Sequence, residues 1–554
     1  MAMKKQSFLS GSLILIASAA LSKVIGAIFR IPLANMLGGE GMGYFSCAYG
    51  IFMTIYAVSV TGLPVAAAKL TAQRLAENDE RGAANVKSSA LALCSLCGLA
   101  FTLLTLLLAY PFCNFLSKSP LSVIAVAAIA PSVLISCVTA VFRGCFEGRR
   151  NMYPTAVSQV IEAAVKLAAG LSLCYAVLKS PRVFFEEAKE IIVRIFPFEG
   201  IKSVTADELF MPLAAAAAVF GVTLSSAAGL AYAAIRSSLD KNVKSKPTKA
   251  TACELAAIML PVALGSLITN LTSLIDLATI NSCLKAAMKN VPQLFEKLVS
   301  SGITAQALPN FIFGSFSGLA VTVFNLIPSF TNMFGKGAVP FVSDGLARGD
   351  NKLVKQSVMR VIFTAAFVAA PSGIGISALA DGILGLLFPA RTLETAAAGD
   401  SLRVLGAGVL FLCVSSVLFS VMQSAGMGGA AVKIMSVGAA VKLMLNLALI
   451  PNIGAVGAAL STDICYLLTM ILSVESVAKF TNIKKRNIFL LLTRMIFCSC
   501  ICAAAALTTE IFLKKYINTP LTLFISVPVG AIFYIISTHL SGILTKTTLK
   551  MLIC

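Results

Sequence analysis

Hydrophobic and polar positions alternate along this chain in long blocks. Apolar runs of about 20 residues or more, the length a helix needs to cross a bilayer, recur over nearly its whole length. The first extends from about 8 to 37. Others fall near 41–72, 86–112, 120–143, 154–178, 207–236, 253–284, 308–345, 355–388, 400–424, 430–450, 454–478, 488–513 and 518–543, which predicts fourteen transmembrane helices and an all-α, polytopic membrane fold. Lys4 and Lys5 precede the first run and Ala17-Ser-Ala resembles a signal-peptide cleavage site, but the run continues through Lys23 and Arg30. It therefore reads as a retained first helix.

Loop charge tests this division independently, because cytoplasmic loops collect Lys and Arg. The basic loops hold Arg74, Arg81 and Lys87; Arg143, Arg149 and Arg150; Arg236, Lys241, Lys244, Lys246 and Lys249; Arg348, Lys352, Lys355 and Arg360; and Lys479, Lys484, Lys485 and Arg486. Each follows an even-numbered run. They share a side with Lys4, Lys5 and the tail residues Lys546 and Lys550, whereas an opposite loop, Glu186-Glu187-Ala-Lys189-Glu190, is mixed in sign. The expectation is a multi-pass protein of the bacterial cytoplasmic membrane with both termini in the cytoplasm.

Composition agrees: of 554 residues 58% are hydrophobic and 12% charged, with mean hydropathy +0.90. Soluble domains carry about 25% charged residues, so a water-dissolved enzyme is excluded. The net charge of +20 fits basic loops facing anionic membrane lipids rather than nucleic acid. One histidine, His539, no tryptophan and no clustered metal ligands leave little equipment for hydrolytic or redox chemistry, and no cofactor is expected. Most of the fifteen cysteines lie in apolar runs, where a thiol acts as a small hydrophobe; Cys94-Ser-Leu-Cys97 reads as packing.

The chain also resembles itself. Ala163-Ala-Val-Lys166-Leu recurs as Ala439-Ala-Val-Lys442-Leu, Gly43-Tyr-Phe-Ser as Gly314-Ser-Phe-Ser, and Leu75-Ala-Glu-Asn-Asp as Leu346-Ala-Arg-Gly-Asp, in the same order and about half a chain apart. Such self-similarity implies duplication. It predicts two pseudo-symmetric six-helix lobes, 1–236 and 253–478, a basic cytoplasmic linker at 237–252, and two appended helices with the tail in 479–554. An even number of helices per copy orients both lobes alike, and transporters built this way bind substrate between the halves and rock around it.

Charges inside the runs carry the functional signal. Lys23, Arg30, Lys166, Asp276, Lys336 and Lys442 sit well within them, with Lys69 and Arg143 nearer the cytoplasmic ends. Facing lipid, the first six would together cost about 15 to 20 kcal/mol on the lenient insertion scale. They must face water, a ligand or one another. Lys23 and Arg30 are two helical turns apart on one face. Asn325, Ser329, Asn332 and Lys336 make a polar stripe in the eighth run, and Ser266, Thr269, Asn270, Ser273 and Asp276 make another in the seventh. Basic groups outnumber the available acids Glu162, Asp276, Asp344 and Asp463, so the lining suits an anion, and Arg suits a phosphate. Lys166 also lies four residues after Glu162, the order of an intrahelical pair, and Lys69, Arg143 and Asp344 also suit snorkelling to headgroups. Gly38-Gly-Glu-Gly-Met-Gly43 follows no strand and reads as a corner between the first two helices.

The strings Ser22-Lys23-Val-Ile-Gly-Ala-Ile-Phe-Arg30-Ile-Pro-Leu-Ala, Gly38-Gly-Glu-Gly-Met-Gly-Tyr and Thr61-Gly-Leu-Pro-Val-Ala-Ala-Ala-Lys69 resemble the polysaccharide-biosynthesis and stage V sporulation protein B family. That family is related to MurJ-type lipid II flippases in the multidrug/oligosaccharidyl-lipid/polysaccharide exporter superfamily. The resemblance implies a two-lobed bundle that flips an undecaprenyl-pyrophosphate-linked sugar by alternating access. It further implies that Lys23 and Arg30, and loosely Lys69, engage the substrate; the intramembrane charges and polar stripes themselves add Arg143, Lys166, Asn332 and Lys336 as substrate-binding candidates. Ile31 stands where MurJ-type proteins carry an acid, and Lys336 lies nearer the cytoplasmic end than their eighth-helix arginine, which favours the sporulation or polysaccharide branch. Some relatives resemble sodium-coupled transporters with a site on helices seven, eleven and twelve. Here Asp276, Asn446 and Thr462 supply oxygens in that pattern, but Lys442 lies one turn before Asn446. The expectation is that its ammonium takes the cation's place and neutralises Asp276.

The leading functional reading is a flippase for a lipid II-like precursor of peptidoglycan or spore cortex. Its partner is a polyprenyl-pyrophosphate-linked glycan lipid, and a peptidoglycan synthase is the candidate protein partner. A cation-coupled multidrug exporter of the same fold needs an acidic lining instead. An intramembrane glycosyltransferase or polymerase needs a general base or metal site that the isolated His539 does not supply.

Overall fold

The computed structural model describes residues 8–180, 206–239, 245–516 and 519–544; the acidic loop at 186–190, Lys241, Lys244 and the terminal lysines Lys4, Lys5, Lys546 and Lys550 lie outside them. The described residues are helical, with no strand among them. Hydrocarbon offers backbone groups no partner, so each segment satisfies its own by forming a helix. Twelve helices among the described residues are long and apolar enough to cross a membrane, or thirteen if Leu308–Phe324 and Leu326–Asn332, which meet at 41°, count as one bent span.

The chain forms two compact units, Met1–Ser282 and Cys283–Cys554. The first contains α1 (Phe8–Ser59), α2 (Gly62–Ala76), α3 (Glu80–Pro111), α4 (Ser122–Ile129), α5 (Pro131–Gly148), α6 (Tyr153–Lys179), α7 (Ala206–Ser238) and most of α8 (Lys249–Asn290). The 52 residues of α1 would measure about 78 Å as one straight helix, more than twice the hydrocarbon core. It breaks at Gly38, whose φ of 63° suits a residue without a Cβ. The glycine run is thus a corner between two arms.

Small residues let these helices approach closely, as membrane packing favours. A Cβ on Gly144 of α5 would lie 2.6 Å from the Pro64 carbonyl oxygen of α2, and one on Gly221 of α7 would collide with the Gly170 backbone of α6. The seam between α1 and α6 is polar: the hydroxyls of Ser18 and Ser22 donate to the side-chain oxygen and the carbonyl of Gln159, at 3.1 and 3.2 Å.

The second unit contains α9 (Leu326–Ala347), α10 (Asn351–Ala378), α11 (Thr392–Ser424), α12 (Gly428–Ile453), α13 (Ala455–Thr481), α14 (Lys485–Leu513) and α15 (Thr519–Leu540), with shorter helical pieces between and before them. One piece of the sequence repeat is visible as geometry. Asn78 and Gly349 both take positive φ, 57° and 69°. Asp79 and Asp350 follow them, each with its amide donating to a carbonyl five residues back, Arg74 and Gly345, at 2.9 Å. Each aspartate then caps the next helix, Asp79 accepting from the Gly82 amide at 2.7 Å and Asp350 from Lys352 and Leu353 at 3.0 Å. The same corner is built twice.

Filling the α6–α7 crossing should break it. Gly221→Val is expected to cost about 1 to 3 kcal/mol through overpacking, read as a lower melting temperature in detergent, while Leu224→Val, at an exposed position of the same helix, changes it little.

Candidate functional site

Two intramembrane cations of the first unit rest on one aromatic cluster. Phe29, on the first arm of α1, and Phe45, on the second, are buried with ring centroids 6.2 Å apart. Phe45 stacks on Tyr49 at 5.7 Å and 11°. At one end the Lys166 ammonium of α6 lies 5.8 Å from the Phe29 ring centre, and at the other the Arg30 guanidinium lies 5.9 Å from that of Tyr49. Both fall within the range of a cation–π contact. Arg30, Tyr49 and Lys166 are half-buried above the two buried phenylalanines, giving an aromatic floor with a cationic rim. Phe52 and Tyr56 extend the ring series along the second arm, at 6.0 and 5.6 Å between successive centroids.

The remaining candidates separate. Lys23 is exposed on the arm that carries Arg30, two turns earlier, and Lys69 is exposed on α2. Arg143 makes an ion pair with Glu162, Nη2 to Oε1 at 2.8 Å, and its guanidinium donates to the Ser158 hydroxyl from Nε and Nη2 at 3.1 and 2.6 Å. The acid that spacing offers to Lys166 is therefore engaged by Arg143. Asp276 is half-buried on α8 within the first unit, and in its stripe the Asn270 amide donates to the Ser266 carbonyl at 2.9 Å. In the second unit, Asn325 stands at the bend before α9 and Asn332 is half-buried on that helix. The Lys336 side chain, like that of Thr269, lies outside the described residues.

A second polar cluster is sealed inside the second unit. Lys442 and Asn446, one turn apart on α12, are 2% and 0% exposed. The Ser461 hydroxyl of α13 donates to the Asn446 side-chain oxygen, and Thr462 and Asp463 are buried alongside. Asp463 lies within reach of the Lys442 charge and fits against α11 at Gly408, where a Cβ would collide with its carboxylate.

Sequence reasoning named both cations and missed the rings beneath them. The signal was present: Phe45, Tyr49, Phe52 and Tyr56 recur at spacings of four, three and four, one stripe of a helix.

The polysaccharide biosynthesis protein family profile matches residues 8–185, the stretch that carries this floor. The solved lipid II flippase MurJ, in its inward closed conformation, superposes with a TM-score of 0.66 over 96% of this chain and 98% of that one, at 14% identity. The fold is that of the MurJ- and MATE-type transporters. An inward-facing MATE family multidrug transporter of the MOP superfamily agrees at a TM-score of 0.63 and 13% identity, over 86% of this chain and 98% of that one. In sequence, the chain is 25% identical to stage V sporulation protein B of Bacillus subtilis (strain 168) over 93% of its length and 91% of that protein's. It is 22% identical to the lipid II flippase MurJ of the same organism, over 84% and 81%. The resemblance read from α1 and α2 thus extends across nearly the whole chain, and the proteins named by activity are a flippase and transporters, not enzymes.

The floor predicts a graded response at Tyr49. Tyr49→Phe keeps a ring under Arg30, whereas Tyr49→Leu removes about 0.5 to 2 kcal/mol of cation–π attraction. Modification of Arg30 by phenylglyoxal, followed by peptide mass spectrometry, is expected to quicken in Tyr49→Leu and not in Tyr49→Phe.

Proposed function

We propose that this chain is a flippase that moves a polyprenyl-pyrophosphate-linked sugar precursor, lipid II-like and destined for peptidoglycan or spore cortex, across the bacterial cytoplasmic membrane by alternating access. The observation that carries the reading is the pair of cations, Arg30 and Lys166, held by ring faces and, among the described residues, not by an ion pair. A ring face attracts a cation without cancelling its charge, so the rim keeps two positive charges for a pyrophosphate. Lys23, on the same arm as Arg30, extends the basic track, and Lys69, Asn332 and Lys336 are the further substrate candidates. The similarity to proteins named lipid II flippase and stage V sporulation protein supports this choice of cargo. A cationic drug needs a lining of opposite sign.

In this reading the 52-residue α1 crosses the membrane twice about its Gly38 corner and the bent helix pair crosses once, which raises the number of crossings to fourteen. Both termini then lie in the cytoplasm. The basic loops meet anionic lipid there, and a peptidoglycan synthase collects the product outside. Arg30 and Lys166 capture the anionic head from the cytoplasmic side. An inside-negative potential favours moving that anion outward by about 2.3 kcal/mol per charge per 100 mV. Lys442 and Asn446, with Asp276, are assigned to coupling, the Lys442 ammonium standing as a built-in cation.

Arg30→Ala is expected to abolish flipping of a fluorescent undecaprenyl-pyrophosphate disaccharide in proteoliposomes while leaving membrane insertion intact and lowering the melting temperature no more than Tyr49→Leu does; normal flipping removes the reading. Replacing sodium by choline is expected to leave the rate unaltered. Saturable sodium binding abolished by Asp276→Asn would exclude the resident-lysine assignment.

A further inference from the structure

We propose that Arg143 is a positioning residue: by holding Glu162, it keeps that carboxylate away from Lys166 and leaves the ammonium available to an anionic ligand. The inference rests on the reading above only in naming a phosphate-bearing ligand for Lys166.

On α6 the acid precedes the lysine by four residues, the arrangement that most favours an ion pair within a helix. Away from water such a pair is strongly attractive, so the local sequence drives Lys166 and Glu162 together and the site toward neutrality. The structure has a different pairing. Glu162 Oε1 lies 2.8 Å from Arg143 Nη2, with the arginine side chain 12% exposed and the glutamate 26%. Ser158, one turn before Glu162 on α6, accepts from the same guanidinium through Nε and Nη2, which fixes its planar fork against the carboxylate. On the far side α7 closes over the acid at Gly229, where a Cβ would overlap the carboxylate.

Lys166 has turned the other way, onto Phe29. Its ammonium passes beside Gly26 of α1, where a Cβ would make an ordinary contact at 3.9 Å from Nζ. Arginine, glutamate and lysine together carry one positive charge. With Arg143 neutral, the remaining acid and base sum to zero, and the ammonium closes on Glu162. Arg143 therefore sets the charge of the floor from its own place on α5, without touching the ligand.

The test needs no assumption about cargo. Wild type, Arg143→Gln, Glu162→Gln and the double variant are reconstituted in lipid nanodiscs and treated, well below their melting temperatures, with a membrane-permeant N-hydroxysuccinimide ester. Acylation of Lys166 is counted by peptide mass spectrometry relative to the exposed Lys352. Arg143→Gln is expected to lower Lys166 labelling several-fold, and the double variant to restore it to within about twofold of wild type. Equal labelling in wild type and Arg143→Gln, or no recovery in the double variant, overturns the proposal. Native mass spectrometry with farnesyl pyrophosphate is the second reading. Binding is expected to weaken roughly tenfold in Arg143→Gln, the equivalent of one modest charge interaction, and to return in the double variant. Lys166→Gln should bind weakly in every background. If the labelling pattern holds while wild type ignores the pyrophosphate, the flippase reading fails and the positioning role stands. If the double variant stays weak, Arg143 contacts the ligand itself and the positioning role fails.

Discussion

A charge in hydrocarbon must be held by something, and the kind of partner decides whether the charge survives the embrace. A carboxylate cancels a cation; the face of a benzene ring does not. The first unit uses both. Arg143 is neutralised by Glu162 and tethered to Ser158, whereas Arg30 and Lys166 lie on rings and remain cationic. Three basic side chains of the first unit thereby take two electrical roles, according to what they rest against.

Packing makes that assignment rigid. The α6 helix carries Ser158, Glu162 and Lys166 at intervals of four residues, and close backbone approach at Gly170 and Gly221 presses it against α7. Gln159 ties it to the first arm of α1 through Ser18 and Ser22. These contacts fix which face α6 turns toward α1 and α7. The floor depends equally on the corner at Gly38, which folds the second arm of α1 back so that Phe45 meets Phe29. In the second unit the corresponding lysine, Lys442, is nearly sealed from solvent among Asn446, Ser461 and Asp463.

The fold was legible because a bilayer imposes one length and one backbone solution on every crossing, so hydropathy alone located most helices. The cations were legible for the same reason: a lone charge in an apolar run is conspicuous. Their partners were not. Phenylalanine and tyrosine are as welcome facing lipid as facing a guanidinium, so Phe29 carried no local mark and the stripe from Phe45 to Tyr56 did not reveal that cations rest on it. The Glu162–Lys166 spacing pointed to a pair that Arg143 pre-empts from another helix, and no local pattern reveals a competitor about twenty residues upstream. The turn between α2 and α3, by contrast, left a mark in the sequence as a repeated string, because its conformation is set within six consecutive residues, although its left-handed residue and capping aspartate emerge only in the structure.

That turn has a consequence for how the molecule is made. Because Asn78–Asp79 and Gly349–Asp350 close their hydrogen bonds within a few residues, each can set as the chain leaves the ribosome, before any distant helix exists. A left-handed residue followed by a capping aspartate reverses the chain and starts the next helix at once. The two helices on either side can then enter the bilayer as a hairpin. The same locally closed corner thus occurs twice in the chain, whereas the lysines farther along, Lys166 and Lys442, rest against quite different partners.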